Sequence, residues 1–221
     1  MESSSKPPGI PVIGLTGGSG CGKTLVSKML GGFGGYVIDA DDLSHRAILN
    51  GEPAYGEIVA QFGDEILNAQ GEIDRKKLGE IVFKDKVKLR LIEGIIHPKV
   101  IDETKRAIKT AETEGVYGFA VIDAPMLVEA GAHIFCQSVW MVVAERESRI
   151  ERIVLRDKIS REAAVERILS KNDDGASLSF YIDTFINNDA DKTKLLEKVS
   201  KAFGETAARI GIKQKDGRAG A

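Results

Sequence analysis

Short, nearly unbroken apolar runs alternate along this chain with stretches whose apolar residues recur at helical spacing, a pattern that predicts a parallel α/β sheet. The first run, residues 11–16, leads directly into glycines, and residues 23–30 then carry apolar positions at helical spacing. Gly31 and Gly32 follow, and glycine can take the backbone angles that stop a helix. A second short run, 36–38, ends in Asp39, Asp41 and Asp42. Strand, glycine loop, helix, strand is the opening of a parallel sheet.

From residue 42 to about 113 the pattern changes to helical runs such as YGEIVAQFG and DRKKLGEIVF, with no convincing strand. This is far more than the dozen or so residues a crossover needs, so a helical lobe beside the sheet is expected. Strand patterns return in VYGFAVID and SVWMVVA, and a short run at 184–186 precedes a helix over roughly 190–208. Between them, residues 145–171 hold basic and acidic side chains at helical spacing. The order predicts a core of 11–41, 114–144 and 181–208, a helical region of 42–113, a small helical lid of 145–180, and tails of 1–10 and 209–221.

Composition narrows the class. With 43% apolar and 29% charged residues, a fibrous or largely disordered chain is excluded. The 31 basic and 33 acidic side chains leave a net charge of -2, so nothing draws the whole molecule to nucleic acid or a membrane. A polyanionic ligand has to be met by a local cluster. Two cysteines cannot build a disulfide framework. The opening residues lack the apolar run of a signal peptide, and the internal apolar runs are too short to span a bilayer, so a cytoplasmic protein is expected.

The segment GLTGGSGCGKT fits G-x-x-x-x-G-K-[ST] through Gly17, Gly22, Lys23 and Thr24, with Gly18, Ser19, Gly20 and Cys21 between them. Glycines let successive amides curl around phosphate oxygens, and the helix that follows offers free N–H groups and a positive dipole end. Lys23 adds a point charge for the β- and γ-phosphates, and Thr24 a hydroxyl for Mg²⁺. The motif lies between a predicted strand and a predicted helix, as this chemistry requires. Cys21 is either loop filler or a thiol made reactive by the same amides. No guanine-reading N-K-x-D is present. A small-molecule kinase therefore leads over a switch GTPase or a motor ATPase.

A kinase acting on an alcohol needs a carboxylate beside the acceptor hydroxyl. Asp39 and Asp41 both follow the second strand and both remain candidates, against the plainer reading that Asp41 or Asp42 caps a helix. Asp123 closes the apolar run GFAVID as a Mg²⁺-orienting acid would, or as a turn former. His45, His97 and His133 are too scattered for zinc spacing, and His97 before Pro98 is also readable as a helix boundary. Arg149, Arg152 and Arg156 lie three and four apart and so share one side of a helix. They make either a solvated face or a lid that clamps charge, with Arg156 the first choice for transfer and Arg152 the second.

GLTGGSGCGKT, VIDAD, FGDEILNAQGEIDRKKLGEIVF, IIHP, DAPML with Glu129, RIVLRD, ERI and FINND occur in an order and spacing that resemble the dephospho-CoA kinase family, over about residues 12–203. The resemblance implies a phosphate-loop NTPase fold, a central parallel sheet flanked by helices with a helical acceptor-binding region and a small helical lid. It implies transfer of the γ-phosphate of ATP, with Mg²⁺, to the 3′-hydroxyl of the ribose of dephospho-CoA, by a chain expected to work as a monomer. Gly17 to Thr24 would hold ATP, Asn188 would lie beside the adenine, and Asp41 would be the acceptor base. Arg156 would be the lid arginine, Thr16 would sit near phosphate or acceptor, and His97 would line the acceptor side. Another nucleoside, nucleotide or small alcohol as acceptor, or a nucleotide-dependent binding protein with none, is the alternative.

The chain departs from the usual family text at several points. Two customary glutamines are Arg149 and Lys171, P-L-L-F-E is P-M-L-V-E, and A-D-x-V-I is I-D-T-F-I at 182–186. The apolar changes nearly preserve volume. The lost glutamines bear on how nucleotide and lid are arranged.

Overall fold

The apolar runs become the strands of one five-stranded parallel sheet in the order β2-β3-β1-β4-β5. The computed structural model describes residues 9–169 and 178–213. The strands are β1 (Val12–Thr16), β2 (Gly35–Asp39), β3 (Phe119–Asp123), β4 (Ser138–Val143) and β5 (Thr184–Asn187). β1 and β3 are buried at every position, as central strands covered on both faces must be. The edge strands β2 and β5 alternate or stay partly exposed. The registers place Leu15 beside Asp123 and Thr16 beside Met141, so the end of β1 lies between the ends of β3 and β4.

The contacts divide the chain into two units, residues 1–38 with 108–221, and Asp39–Ala107. In the first, α1 (Lys23–Gly32) and α8 (Lys192–Ile210) pack on each other and on the sheet. Leu30, Phe119, Trp140, Leu195 and Phe203 belong to its core. The Phe119 and Phe203 rings lie 5.0 Å apart, and Phe33 stacks on Phe203 at 5.1 Å. The same unit carries a helical hairpin of α6 (Arg146–Asp157) and α7 (Arg161–Leu169). Lys158 turns the chain between them in the left-handed region, φ 54°, and Ile150, Ile153, Ala164 and Ile168 give the pair an apolar seam of its own.

The second unit is built from α2 (Ala40–Ala47), α3 (Tyr55–Phe62), α4 (Arg75–Val82) and part of α5 (Lys86–Glu114) around Ile58, Ile66, Leu78, Ile92 and Ile95. Its division from the first falls at Asp39 and inside α5 after Ala107, whereas the sequence pattern places the helical region at 42–113. Of strand pairing, the described residues of this unit hold a single antiparallel bridge, Leu67 with Ile73. Asn68 folds the turn between them by accepting from the Gln70 and Glu72 amides, and the Tyr55 hydroxyl donates to Gly71 O at 2.5 Å.

The helix boundary read at His97 and Pro98 is not there. α5 runs through Pro98 as one helix of 29 residues. A proline inside a helix costs about 3 kcal/mol in a lost bond and a crowded carbonyl. Ile92, Ile95, Val100, Thr104, Ile108 and Ala111 are nevertheless buried along the helix on both sides of it. The four large apolar side chains among them, each contributing roughly 1.5–3 kcal/mol, outweigh one lost hydrogen bond.

Close packing is strict where β1 meets the segment after β3. A Cβ on Gly14 would lie 2.5 Å from Leu127 and 2.7 Å from the Cys136 sulfur. Cys136 is half-buried as a residue, but its thiol points into this interior, where burial and, less strongly, the Asp183 carboxylate push it up to about 12. Folding therefore favours the protonated thiol. The stability this supplies is present below the ordinary thiol value and is lost as pH rises towards about 12. Because the thiolate is the reactive form, iodoacetamide at pH 8 should modify Cys136 about 10³-fold more slowly in the folded protein than in the unfolded chain. Peptide mass spectrometry over a time course reads this directly, and equal rates in the two states would contradict the burial.

Candidate active site

β1 delivers the chain at Thr16 into a loop whose glycines are demanded twice, by backbone angle and by space. Gly17, Gly20 and Gly22 have φ of 150°, 79° and 91°. A Cβ on Gly17 would lie 2.6 Å from Val142 O, one on Gly20 would lie 2.6 Å from Arg149 O, and one on Gly22 would strike the Asn188 side chain. Gly22 is the N-cap of α1, and among the described residues no side chain caps that end. The Leu25 amide turns back to Gly22 O at 3.0 Å, which leaves the Lys23 and Thr24 N–H groups ahead of it, with the positive end of the helix dipole, for an anion.

Lys23 and Asp123 meet as an ion pair with little exposure, 14% and 8% of their side chains. The pairing follows from the register, since β3 ends in Asp123 beside Leu15. Thr24 is exposed in the first turn of α1. Thr16 is 2% exposed, and its hydroxyl donates to Pro125 O at 2.9 Å, tying the ends of β1 and β3 together.

Three side chains hold the outer edge of the loop. Arg149 Nε donates to Ser19 O at 2.8 Å. Asn188, 5% exposed, donates through Nδ2 to Cys21 O at 2.8 Å, and Arg152 Nη2 donates to Asn188 O at 2.7 Å. Asn188 reaches this place because β5 pairs with β4 and its own amide donates to Val143 O at 2.8 Å.

Arg156, the first choice for transfer from sequence, is engaged elsewhere. Its fork grips Asp157 at 2.7 and 2.9 Å, and its side chain is 61% exposed. Arg167 reaches the same carboxylate. The shared hydrogen bond raises Arg156 and lowers Asp157 from their ordinary values. It is Arg149 and Arg152 that touch the loop. The three-and-four spacing groups these arginines on one side of α6, but of the three the sequence reading singles out Arg156 and then Arg152, and not Arg149.

The second unit holds the acids of D-A-D. Asp39, not Asp41 or Asp42, caps α2: its Oδ1 accepts from the Asp41 and Asp42 amides at 2.9 and 3.1 Å. Asp41 is exposed in the first turn, Asp42 pairs with Arg46 at 3.0 Å, and His45 is exposed. His97 is half-buried on α5. Lys171 and part of the expected lid lie outside the described residues. Among the described residues no cluster of three His, Cys, Asp or Glu could hold a metal, and no helix is long and apolar enough to cross a membrane.

A glycine loop at a helix start, a lysine paired with a strand-end acid and arginines on the loop carbonyls can bind a phosphate chain and stabilise charge moving along it. A family model described as dephospho-CoA kinase matches residues 11–206. The chain is 41% identical to a dephospho-CoA kinase of Fusobacterium nucleatum over 197 residues, 89% of this chain and 98% of that protein. A dephospho-CoA kinase of Shouchella clausii is 35% identical over 195 residues, 88% of this chain and 98% of that one. Among solved structures, a Thermus thermophilus protein superposes with a TM-score of 0.75 at 26% identity, over 91% of this chain and 98% of that chain. A Campylobacter jejuni dephospho-CoA kinase superposes with a TM-score of 0.64 at 26% identity, over 90% of this chain and 98% of that chain. A match spanning the sheet, the helical unit and the loop together places this chain in the dephospho-CoA kinase family.

Proposed function

We propose that this protein transfers the γ-phosphoryl group of ATP to the 3′-hydroxyl of the ribose of dephospho-CoA, giving CoA and ADP. The observation that carries the reading is the family match across residues 11–206, which takes in the phosphate loop and the helical unit at once. A nucleotide sensor with no acceptor has no use for the second of these. In this reading Gly18, Ser19, Gly20, Cys21, Gly22, Lys23 and Thr24 hold the triphosphate, Asn188 fixes the loop beside it, and Lys23 spreads the charge of the group in flight.

Mg²⁺ suits the residues present. The Asp123 carboxylate and the Thr24 hydroxyl are hard oxygen donors, and Mg²⁺ is commonly held by one or two protein oxygens together with substrate phosphates rather than by a protein cage. When bound, it neutralises the charge of the β- and γ-phosphates. Asp123 and Lys23 then work as a pair in which each orients the other.

Asp41 serves as the base that orients the 3′-hydroxyl and takes its proton. Asp39 has its Oδ1 committed to two backbone amides, which leaves Asp41 the more available acid of the two. Thr16, His97 and Arg152 complete the acceptor side, and Arg156 exchanges Asp157 for phosphate.

ADP release measured over a panel of acceptors tests the substrate: dephospho-CoA should support turnover, while turnover with adenosine or AMP and none with dephospho-CoA would reject the reading. The two acids are separated by substitution. Asp41→Asn should lower turnover roughly 10²-fold or more, the scale of a positioned acid or base, with ATP binding almost intact. Asp39→Asn should keep most turnover and, because asparagine caps a helix as well as aspartate does, nearly all stability, whereas Asp39→Ala should lose about 1 kcal/mol in urea denaturation, the worth of a helix cap. The opposite ranking in turnover would move the base to Asp39.

A further inference from the structure

The bonds from Arg149 and Asn188 act on alternate peptide planes of the loop. Among the described residues every peptide bond is trans. In a trans peptide the C=O and the N–H of the next residue point to opposite sides. Arg149 draws Ser19 O towards α6, which turns the Gly20 N–H away from it; Asn188 draws Cys21 O, which turns the Gly22 N–H away in the same manner. The plane between is steadied differently, by the Cys21 amide donating to Gly18 O at 3.2 Å. Arg152 approaches Gly20 O and Cys21 O at only 3.4 and 3.5 Å, beyond a good hydrogen bond, but its 2.7 Å bond to Asn188 O seats the asparagine.

These planes need holding. Gly20 and Gly22, as glycines, are joints of wide conformational freedom in the loop, and freedom that survives in the free protein has to be given up when a ligand orders the loop. We propose that Arg149 and Asn188, the latter seated by Arg152, are positioning residues that fix the amides of Gly20 and Gly22 in their phosphate-facing orientation before the nucleotide arrives. The proposal rests on the nucleotide reading above but not on the identity of the acceptor. It also assigns chemistry to the departure at position 149: what the site uses there is a hydrogen-bond donor to Ser19 O, which the usual glutamine also possesses, and not the positive charge.

The test compares Arg149→Met, which keeps the stem and removes every donor, with Arg149→Gln, which keeps a donor and removes the charge. Two quantities are read without any acceptor: ¹⁵N order parameters of Gly20 and Gly22 in the free protein, and dissociation constants for ADP and ATP. In the parent both order parameters should stand near the rigid backbone value of about 0.85. In Arg149→Met that of Gly20 should fall below about 0.6, and both nucleotides should weaken by the same factor, about tenfold, the scale of one hydrogen bond to a charged donor. Arg149→Gln should restore both. Asn188→Ser, whose side chain is too short to reach Cys21 O, should loosen Gly22 rather than Gly20, and it carries the test if Arg149→Met does not fold.

An Arg149→Met protein with a rigid Gly20 and parental ADP affinity would overturn the proposal. So would an Arg149→Gln protein as weak as Arg149→Met, since the charge would then be what matters. A parent that binds neither ADP nor ATP would instead sink the nucleotide reading itself, and this proposal with it.

Discussion

The approach of α6 to the glycine loop is the constraint on which the rest of the nucleotide side depends. No Cβ fits at Gly20, because Arg149 O would lie 2.6 Å from it, and none fits at Gly17 beneath Val142 O. The glycines allow this close approach, and the bonds from Arg149 to Ser19 O and from Asn188 to Cys21 O then hold the loop against α6 and β5. The strand order supplies its surroundings: with β1 between β3 and β4, the end of β3 brings Asp123 to Lys23 from one side, while β4 and β5 bring α6 and Asn188 from the other. A net charge of -2 gives the molecule no general attraction for polyanions. The loop compensates locally, with backbone dipoles, one helix end and a few cations gathered in a small volume.

Much of this was legible in the sequence because it is local. Strand, glycine loop and helix are specified by adjacent residues, and an apolar run ending in an acid identified Asp123 before any partner for it was known. Sequence alone left Asp39 and Asp41 open as bases and favoured the later acids as cap. The structure makes Asp39 the cap since the chain is still extended there, φ -85° and ψ 104°, and turns helical at Ala40. Three aspartates in four residues carry no mark of where that change occurs.

What stayed illegible is tertiary. Helical spacing groups Arg149, Arg152 and Arg156 on one side of α6, yet nothing in it says which of them meets the loop and which finds Asp157. Pro98 misled for the opposite reason. Its local cost is plain in sequence, whereas the burial of Ile92 and Ile95 that helps override it depends on a cluster with residues as distant as Ala47 and Ile58. The apolar clusters are separate: one lies in the sheet unit that carries the loop and Asp123, the α6–α7 seam underlies the arginines, and a third lies in the unit that carries Asp41 and His97.

The central claim concerns one bond, from the γ-phosphorus of ATP to the 3′-oxygen of a ribose. Phosphorus NMR of the purified protein with Mg·ATP and dephospho-CoA observes its formation directly. The account predicts a new phosphomonoester signal, coupled to the ribose 3′-proton, that grows in step with ADP while the pyrophosphate of the acceptor stays intact. A signal coupled to a different ribose position, or ADP accompanied only by inorganic phosphate, would contradict it.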